Sequence, residues 1–312
     1  MSASAPSRPV ILVTGADLAP QAVEILEKFE LVYAGKTPDE DGLVELCARH
    51  QPVAILVRYG KISARVMDAS KKLRVISKHG SGIDTIDSAA AAERGIAVKA
   101  AAGANAVAVA EHAWALIFAC AKDVVKLNTR MHGGHWDKAT HKSLELCGKT
   151  LGLIGMGAIG RKTAEVGVAL GMKVLAFDPY ASAVPEGVIM EELDTVMREA
   201  HVLSLHCPLT ESNRNMISRD AIGKMRDGAI LVNTARGGLV DEEAVLEALQ
   251  SGKLRAAGLD SFQREPLVGG HLFTNVDNAI LSPHIGGVTA DAYIGMGCGA
   301  ARNILAVLNG EI

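Results

Sequence analysis

Short continuous apolar runs alternate with stretches of helical spacing along most of the chain. The runs Val10–Val13, Val53–Val57, Leu73–Ser77, Leu151–Ile154, Val174–Phe177, Val202–Leu205, Ile230–Asn233, Ala256–Leu259 and Ile280–Ser282 read as strands. Most are apolar without interruption, as strands covered on both faces are. Asp241–Gln250 shows the other pattern, with Val245, Leu246 and Leu249 at helical spacing. Asp241, Glu242 and Glu243 crowd its first turn and Gly252 follows its end, which are helix start and stop signals. This alternation predicts an α/β fold built on doubly wound parallel sheets. A long helical pattern from about Asn105 to Met131 separates a β/α series in residues 1–100 from a second that opens at Thr150. The last pattern, Thr289–Leu308, is helical and would pack back on the first domain.

Composition narrows the class. The chain has 312 residues, 49% hydrophobic and 21% charged, enough for two folded domains and too apolar for a disordered chain. With 32 Lys and Arg against 35 Asp and Glu, the net charge of −3 lacks the basic excess of a nucleic-acid binder. Cys47, Cys120, Cys147, Cys207 and Cys298 are odd in number and lie far apart, with no C-x-x-C pair. That favours a reducing, cytoplasmic setting over a disulfide framework, and no metal site is expected. The longest apolar stretch, residues 106–121, is interrupted by Glu111 and His112. It falls short of the roughly 20 residues a membrane span needs.

The 32 glycines are not spread evenly in meaning. Gly155-Met156-Gly157-Ala158-Ile159-Gly160 directly follows a strand pattern and opens a helix pattern. In that context G-x-G-x-x-G is a dinucleotide fingerprint. Gly155 allows the tight turn, Gly157 lets the backbone approach a pyrophosphate, and Gly160 lets helix and strand pack closely. The helix N-terminus then offers free N–H groups to the phosphates. Asp178 ends the strand pattern KVLAFDP, eighteen residues after Gly160. A carboxylate there accepts hydrogen bonds from ribose hydroxyls and repels a 2′-phosphate, so NAD is expected rather than NADP.

Three ionisable residues stand just beyond later strand patterns: Arg236 after GAILVNTA, Glu265 after AAGLDSFQR and His284 after AILSP. Ligands of open parallel sheets bind outside the carboxyl ends of the strands, where these three would converge. Arg holds a carboxylate in a bidentate fork, His gives a proton to a carbonyl oxygen, and Glu beside that His favours its charged form. Such a set suits a keto-acid reductase. Taken singly, the three read equally well as a surface arginine, a solvated glutamate and a capping histidine.

Eight stretches carry a wider resemblance: GSGIDTID at 80–87, NAVAVAEHAWAL at 105–116, GKTLGLIGMGAIGR at 148–161, FDPY at 177–180, HCPLT at 206–210, NTARGGLVDEEAV at 233–245, GLDSFQREP at 258–266 and LSPHIGG at 281–287. In this order they resemble the D-isomer-specific 2-hydroxyacid dehydrogenases, a family that includes D-3-phosphoglycerate dehydrogenases and glycerate or hydroxypyruvate reductases. The resemblance implies two Rossmann-like domains with NAD in the cleft between them. Residues 101–284 would bind NAD, and 1–100 with 285–312 would bind substrate. Arg236 would hold the substrate carboxylate, Glu265 would be the paired acid and His284 the proton donor. Gly155, Gly157, Ala158, Ile159, Gly160, Asp178, His206, Cys207, Pro208, Thr210, Thr234, Ala235 and His284 would line the cofactor site, with Asp260 at the nicotinamide carboxamide. The backbone of Ser81 and Gly82 would grip the substrate carboxylate, and Asn105 would anchor the hinge. A homodimer built around the cofactor domain is implied, with the long helix from Asn105 suited to that use.

VRYGKI at 57–62 resembles a phosphoglycerate-type stretch whose arginine reaches a substrate phosphate. Arg58, with Lys78 and His79 as helpers, is thus a candidate for an anionic substrate tail, which tips the expectation slightly toward a phosphoglycerate-type substrate. Tyr59 departs from the small residue of that match, and solvated basic side chains are the plain alternative. Trp136 is a candidate to close over the site from the same chain or a partner, but structural packing is the expectation. Glu265 stands where formate dehydrogenases of this family have Gln, and Ser81 where phosphite oxidisers have Lys. The chain ends just after its last helical pattern, so no C-terminal regulatory domain is expected. A glycerate, hydroxypyruvate or glyoxylate reductase is the nearest alternative. A dinucleotide-sensing corepressor-like protein is the alternative of another class.

Overall fold

The computed structural model describes residues 8–311, arranged as two compact units. The first contains the chain up to Asn105 and again from Val288, and the second is Ala106–Gly287.

The first unit alternates strand and helix: β1 (Val10–Val13), α1 (Pro20–Ile25), β2 (Glu30–Tyr33), α2 (Glu40–His50), β3 (Ala54–Val57), α3 (Ala64–Asp68), β4 (Val75–Lys78), α4 (Ser88–Glu93) and β5 (Ala97–Ala100). Its sheet runs β2-β1-β3-β4-β5, and every pair is parallel. β3 reads Ala-Ile-Leu-Val and all four residues are buried, because helices cover both faces. α2 starts where Asp39 Oδ1 accepts the Gly42 N–H at 2.8 Å, satisfying one orphan donor of its first turn.

The second unit opens with α5 (Ala106–Lys122) and α6 (Val124–His132). It continues β6 (Thr150–Ile154), α7 (Ala158–Ala169), β7 (Lys173–Phe177), β8 (Val188–Met190), α8 (Leu193–Glu199), β9 (Val202–Leu205), α9 (Arg219–Lys224), β10 (Ala229–Asn233), α10 (Glu242–Ser251), β11 (Leu254–Leu259) and β12 (Ala279–Leu281). Its seven strands run β12-β11-β10-β9-β6-β7-β8, again all parallel. α5 lies close on this sheet: a Cβ on Gly258 of β11 would sit 2.8 Å from Leu116 Cβ. The chain then returns to the first unit as α11 (Ala290–Leu308). Its Ala300, Ala301 and Ile304 are fully buried in one cluster with Ile11, Val13, Leu56 and Val75.

Two differences from the sequence pattern have physical causes. β2, β5 and β8 were not expected, and each is an edge strand. With one flank unpaired and no residue buried, β2 and β5 each carry a charged residue, and β8 is only three residues long. The single long helix from Asn105 is in fact two, α5 and α6, broken at Asp123 in the left-handed region with φ of 54°. The Asp123 carboxylate takes Nη2 of Arg255 from β11 at 2.5 Å, tying the break to the sheet. Among the described residues no helix is long and apolar enough to cross a membrane.

Candidate active site

The glycine loop sits between the end of β6 and the start of α7. Gly155 has φ of 103°, and a Cβ there would lie 2.6 Å from the His206 carbonyl carbon. A Cβ on Gly160 would fall 2.0 Å from the Gly155 oxygen. Neither position admits a side chain, because backbone occupies the space. Gly157 differs, since a Cβ there meets nothing within 4 Å. The two flanking glycines serve packing, while the middle one faces open space that suits a pyrophosphate. Ala158 and Ile159 form the first turn of α7 and present the helix N-terminus there.

Asp178 follows β7 and is tied to this loop. Its Oδ2 accepts the Met156 N–H at 2.7 Å and its Oδ1 accepts the Tyr180 N–H at 2.8 Å. The carboxylate is thereby fixed beside the glycine turn, and each oxygen keeps a lone pair for a ribose hydroxyl.

Three buried polar atoms without a protein partner occur just beyond three adjacent strands. They are His206 Nδ1 after β9, Thr234 Oγ1 after β10 and Ser261 Oγ after β11. Unpaired buried polar atoms are costly, so three on one sheet edge mark where a polar ligand belongs. Ser261 was not foreseen as a site residue; it lay inside the GLDSFQREP stretch. Cys207 continues this edge, with its thiol pushed up to about 11 by burial. Pro208 and Thr210 form a self-capped loop in which Asn213 donates to the Pro208 carbonyl and accepts from the Thr210 N–H.

Arg236, Glu265 and His284 are drawn together by close backbone approach. A Cβ on Gly237 would lie 1.9 Å from the carbonyl carbon of Phe262, so the Arg236 loop rests flush on the loop bearing Glu265. Arg236 Nη1 donates to the Ala235 carbonyl at 2.8 Å, and Asn233 Nδ2 holds the Arg236 carbonyl at 2.9 Å. Glu265 accepts the Phe262 N–H at 2.9 Å with one oxygen and meets His284 Nδ1 at 2.8 Å with the other. The pair therefore leaves His284 Nε2 as the nitrogen available to a reactant.

His284 has φ of 55°, in the left-handed region that a non-glycine residue adopts where its surroundings hold it. Asp260 holds it there. That carboxylate is 1% exposed and accepts from Ser282 Oγ at 2.6 Å, the Ile285 N–H at 2.9 Å and the Gly286 N–H at 2.8 Å. His112 of α5 adds Nε2 at 3.3 Å from Asp260 and 2.8 Å from Ser282 Oγ. Asp260 is thus engaged in folding the histidine loop, a task sequence reading did not assign; a contact to a carboxamide would be additional. His112 and Ser282 were also missed as site residues.

In the first unit, Ser81 and Gly82 follow β4, and Ser81 Oγ donates to Asn105 Oδ1 at 3.1 Å. Arg58 follows β3, but its guanidinium is paired with Asp17. Lys78 Nζ donates to the Arg58 carbonyl at 3.1 Å. His79 does not supply the charge expected of it. Burial, followed by repulsion from Arg58, lowers its pKa to about 4. Trp136 is 75% exposed rather than packed. Among the described residues no cluster of metal-ligating side chains occurs.

A dinucleotide cradle beside an Arg, Glu and His set defines a nicotinamide-dependent oxidoreductase. Residues 114–286 match the D-isomer specific 2-hydroxyacid dehydrogenase, NAD binding domain. The chain belongs to the D-isomer specific 2-hydroxyacid dehydrogenase family, with NAD as cofactor. It is 42% identical to a hydroxypyruvate reductase of Thermotoga maritima, over 86% of this chain and 88% of that one. It is 38% identical to a D-3-phosphoglycerate dehydrogenase of Methanocaldococcus jannaschii, over 97% of this chain but only 58% of that one. A Thermus thermophilus protein of known structure superposes with a TM-score of 0.88 at 36% identity, covering 96% of this chain and 97% of the other.

Two outcomes test this site. General acid catalysis is worth about 10²–10⁴-fold, so His284→Ala should lower kcat by that factor while NADH still binds by fluorescence titration. A near-normal kcat removes His284 from proton transfer. Burial also lowers the His206 pKa from 6.5 to about 4. The unfolded chain therefore binds the extra proton between those values, so the stabilising contribution is full above pH 6.5 and is lost as pH falls toward 4. The urea midpoint should drop between about pH 7 and 5, and drop less in His206→Gln. An equal drop in both contradicts the assignment.

Proposed function

We propose that this D-2-hydroxyacid dehydrogenase prefers NAD over NADP and reduces a small unphosphorylated 2-keto acid of the hydroxypyruvate or glyoxylate kind. The reaction class rests on the family and on one observation above all, the Glu265–His284 pair at 2.8 Å, on a loop against which the Arg236 loop packs. Asp178 at the glycine turn supports the NAD preference, because a 2′-phosphate there would meet a carboxylate. The Arg58–Asp17 pair supports the unphosphorylated substrate over the phosphoglycerate type, since the cation meant for a phosphate already has a counter-charge. The hydroxypyruvate reductase relative matches over most of its own length, which agrees with this choice.

NAD supplies or accepts the hydride when bound. The protein's own residues do the rest. Arg236 holds the substrate carboxylate by paired hydrogen bonds. Glu265 fixes Nδ1 of His284, so Nε2 presents a proton to the carbonyl oxygen and takes it back in the reverse direction. The alternative of a dinucleotide sensor assigns no task to this acid–imidazole pair.

A homodimer and a cytoplasmic setting belong to the same proposal. α6 buries none of its residues, and Val124, Val125 and Met131 are exposed on it, with Val107 and Phe118 exposed on α5. An apolar surface of this kind suits a second copy of the chain. Light scattering should give twice the 32.7 kDa chain mass, and a monomer at micromolar concentration counts against this surface as a dimer contact. For the reaction itself, NADH and NADPH oxidation should be measured with glyoxylate, hydroxypyruvate and phosphohydroxypyruvate. Hydroxypyruvate or glyoxylate with NADH should give the highest kcat/KM, and Asp178→Ala should raise the rate with NADPH relative to NADH. Faster wild-type turnover with NADPH overturns the role of Asp178.

A further inference from the structure

The first unit has its own switch point. In the order β2-β1-β3-β4-β5 the chain leaves β1 toward one edge and resumes at β3 toward the other. The loops beyond these two adjacent strands diverge, and such a crevice at the carboxyl edge of a doubly wound sheet receives ligands. Here Asp17 lies beyond β1 and Arg58 beyond β3. Thr14 Oγ1 staples the strand ends, accepting the Arg58 N–H at 3.0 Å and donating to the Tyr59 carbonyl at 2.6 Å. Gly15 lets the arginine stem lie flat on β1, for a Cβ there would stand 2.8 Å from Arg58 Cδ.

The guanidinium is built in. Its side chain is 13% exposed, with its central carbon 5.0 Å from the Tyr293 ring centre and 5.3 Å from that of Tyr59. Nη1 donates to the Asp17 carbonyl at 2.6 Å and to Asp17 Oδ1. The same Oδ1 accepts the Tyr293 hydroxyl at 2.7 Å. Asp17 itself is 67% exposed in its side chain. Tyr293 and then Arg58 hold its carboxyl below the usual range, so it stays charged. His79, against the Tyr293 ring, is kept neutral by burial and adds no charge. A buried cation at a ligand crevice is thus neutralised by an exposed carboxylate of the same chain.

We propose that Asp17 is a specificity-determining residue, its carboxylate filling the anion position at Arg58 and Tyr293 so that substrates with a second negative group are refused. This rests on the reading that the Ser81–Gly82 backbone, beyond β4 of the same sheet, grips the substrate carboxylate. β4 neighbours β3, so the Ser81–Gly82 loop and Arg58 follow adjacent strand ends of one sheet. A phosphate on the far end of a substrate held there meets Asp17 as well as Arg58 and gains nothing net. A hydroxymethyl group or a hydrogen carries no charge to be repelled. Asp17→Asn keeps the shape and the Tyr293 contact but removes the charge, leaving Arg58 for the phosphate.

The test compares the wild type, Asp17→Asn and the double variant Asp17→Asn, Arg58→Ala, each with NADH and either hydroxypyruvate or phosphohydroxypyruvate. In Asp17→Asn the kcat/KM ratio of the phosphorylated to the plain acid should rise about 10–150-fold, the range of a charge-assisted hydrogen bond. The double variant should lose that rise. A ratio unmoved by Asp17→Asn, a rise that survives loss of Arg58, or a wild type that already prefers phosphohydroxypyruvate overturns the proposal. A wild type active on hydroxypyruvate with an unmoved ratio overturns the role of Asp17 alone. If the wild type reduces none of the acids, the functional reading falls, and thermal unfolding with added inorganic phosphate decides the anion site. Phosphate should then raise the Tm of Asp17→Asn but not of the double variant, and no rise in Asp17→Asn overturns the site.

Discussion

Strand polarity is the constraint from which the sites of this protein follow. In both sheets every paired strand runs in the same direction, so the carboxyl ends of all strands of a sheet lie on one edge. At that edge the chain must leave the sheet, and side chains there are freed from core packing. Arg236, Glu265 and His284 follow β10, β11 and β12, while the glycine loop and Asp178 follow β6 and β7. Residues separated by more than a hundred positions are thereby collected without any long-range signal in their own neighbourhoods. The first unit repeats the rule on a smaller sheet, where Asp17, Arg58 and Ser81 follow β1, β3 and β4.

Collection along an edge is not yet alignment. That comes from two kinds of close contact. Glycine allows backbone to touch backbone at Gly155 against His206, at Gly160 against Gly155 and at Gly237 against Phe262. A buried carboxylate supplies the other. Asp260 accepts from Ser282 and from the N–H groups of Ile285 and Gly286, which flank His284 on both sides. A carboxylate that stays in the interior requires such a set of donors, and the donors are placed by satisfying it. The left-handed backbone of His284 is the local cost of that arrangement, and the loop tolerates it because its neighbours are fixed on both sides.

The two units treat their arginines differently. Arg236 donates to the Ala235 carbonyl in a loop packed on the one that bears Glu265, whereas Arg58 is bound to Asp17 and flanked by Tyr59 and Tyr293. Both sit in the same relation to a strand end, and both look alike in sequence. For Arg58, availability to a ligand depends on the counter-charge that Asp17 already supplies.

The sequence by itself determined the class of fold, the central strands and the glycine turn after β6. These are legible because a strand buried on both faces must be apolar throughout, and because a turn against backbone admits only glycine. Edge strands β2, β5 and β8 were not legible, since a charged residue stands in each of the first two and the third is only three residues long. The break at Asp123 was hidden for a related reason: helical spacing continues through it, and only Arg255 across the unit shows why the helix turns. Ser261, His112 and Ser282 lay inside the stretches at 258–266, 105–116 and 281–287, but what marks each of them is a missing or a distant partner. Arg58 was read as free for a phosphate and His79 as charged. Tertiary structure alone brought Asp17 to the first and buried the second, because charge state and pairing depend on neighbours in space rather than along the chain.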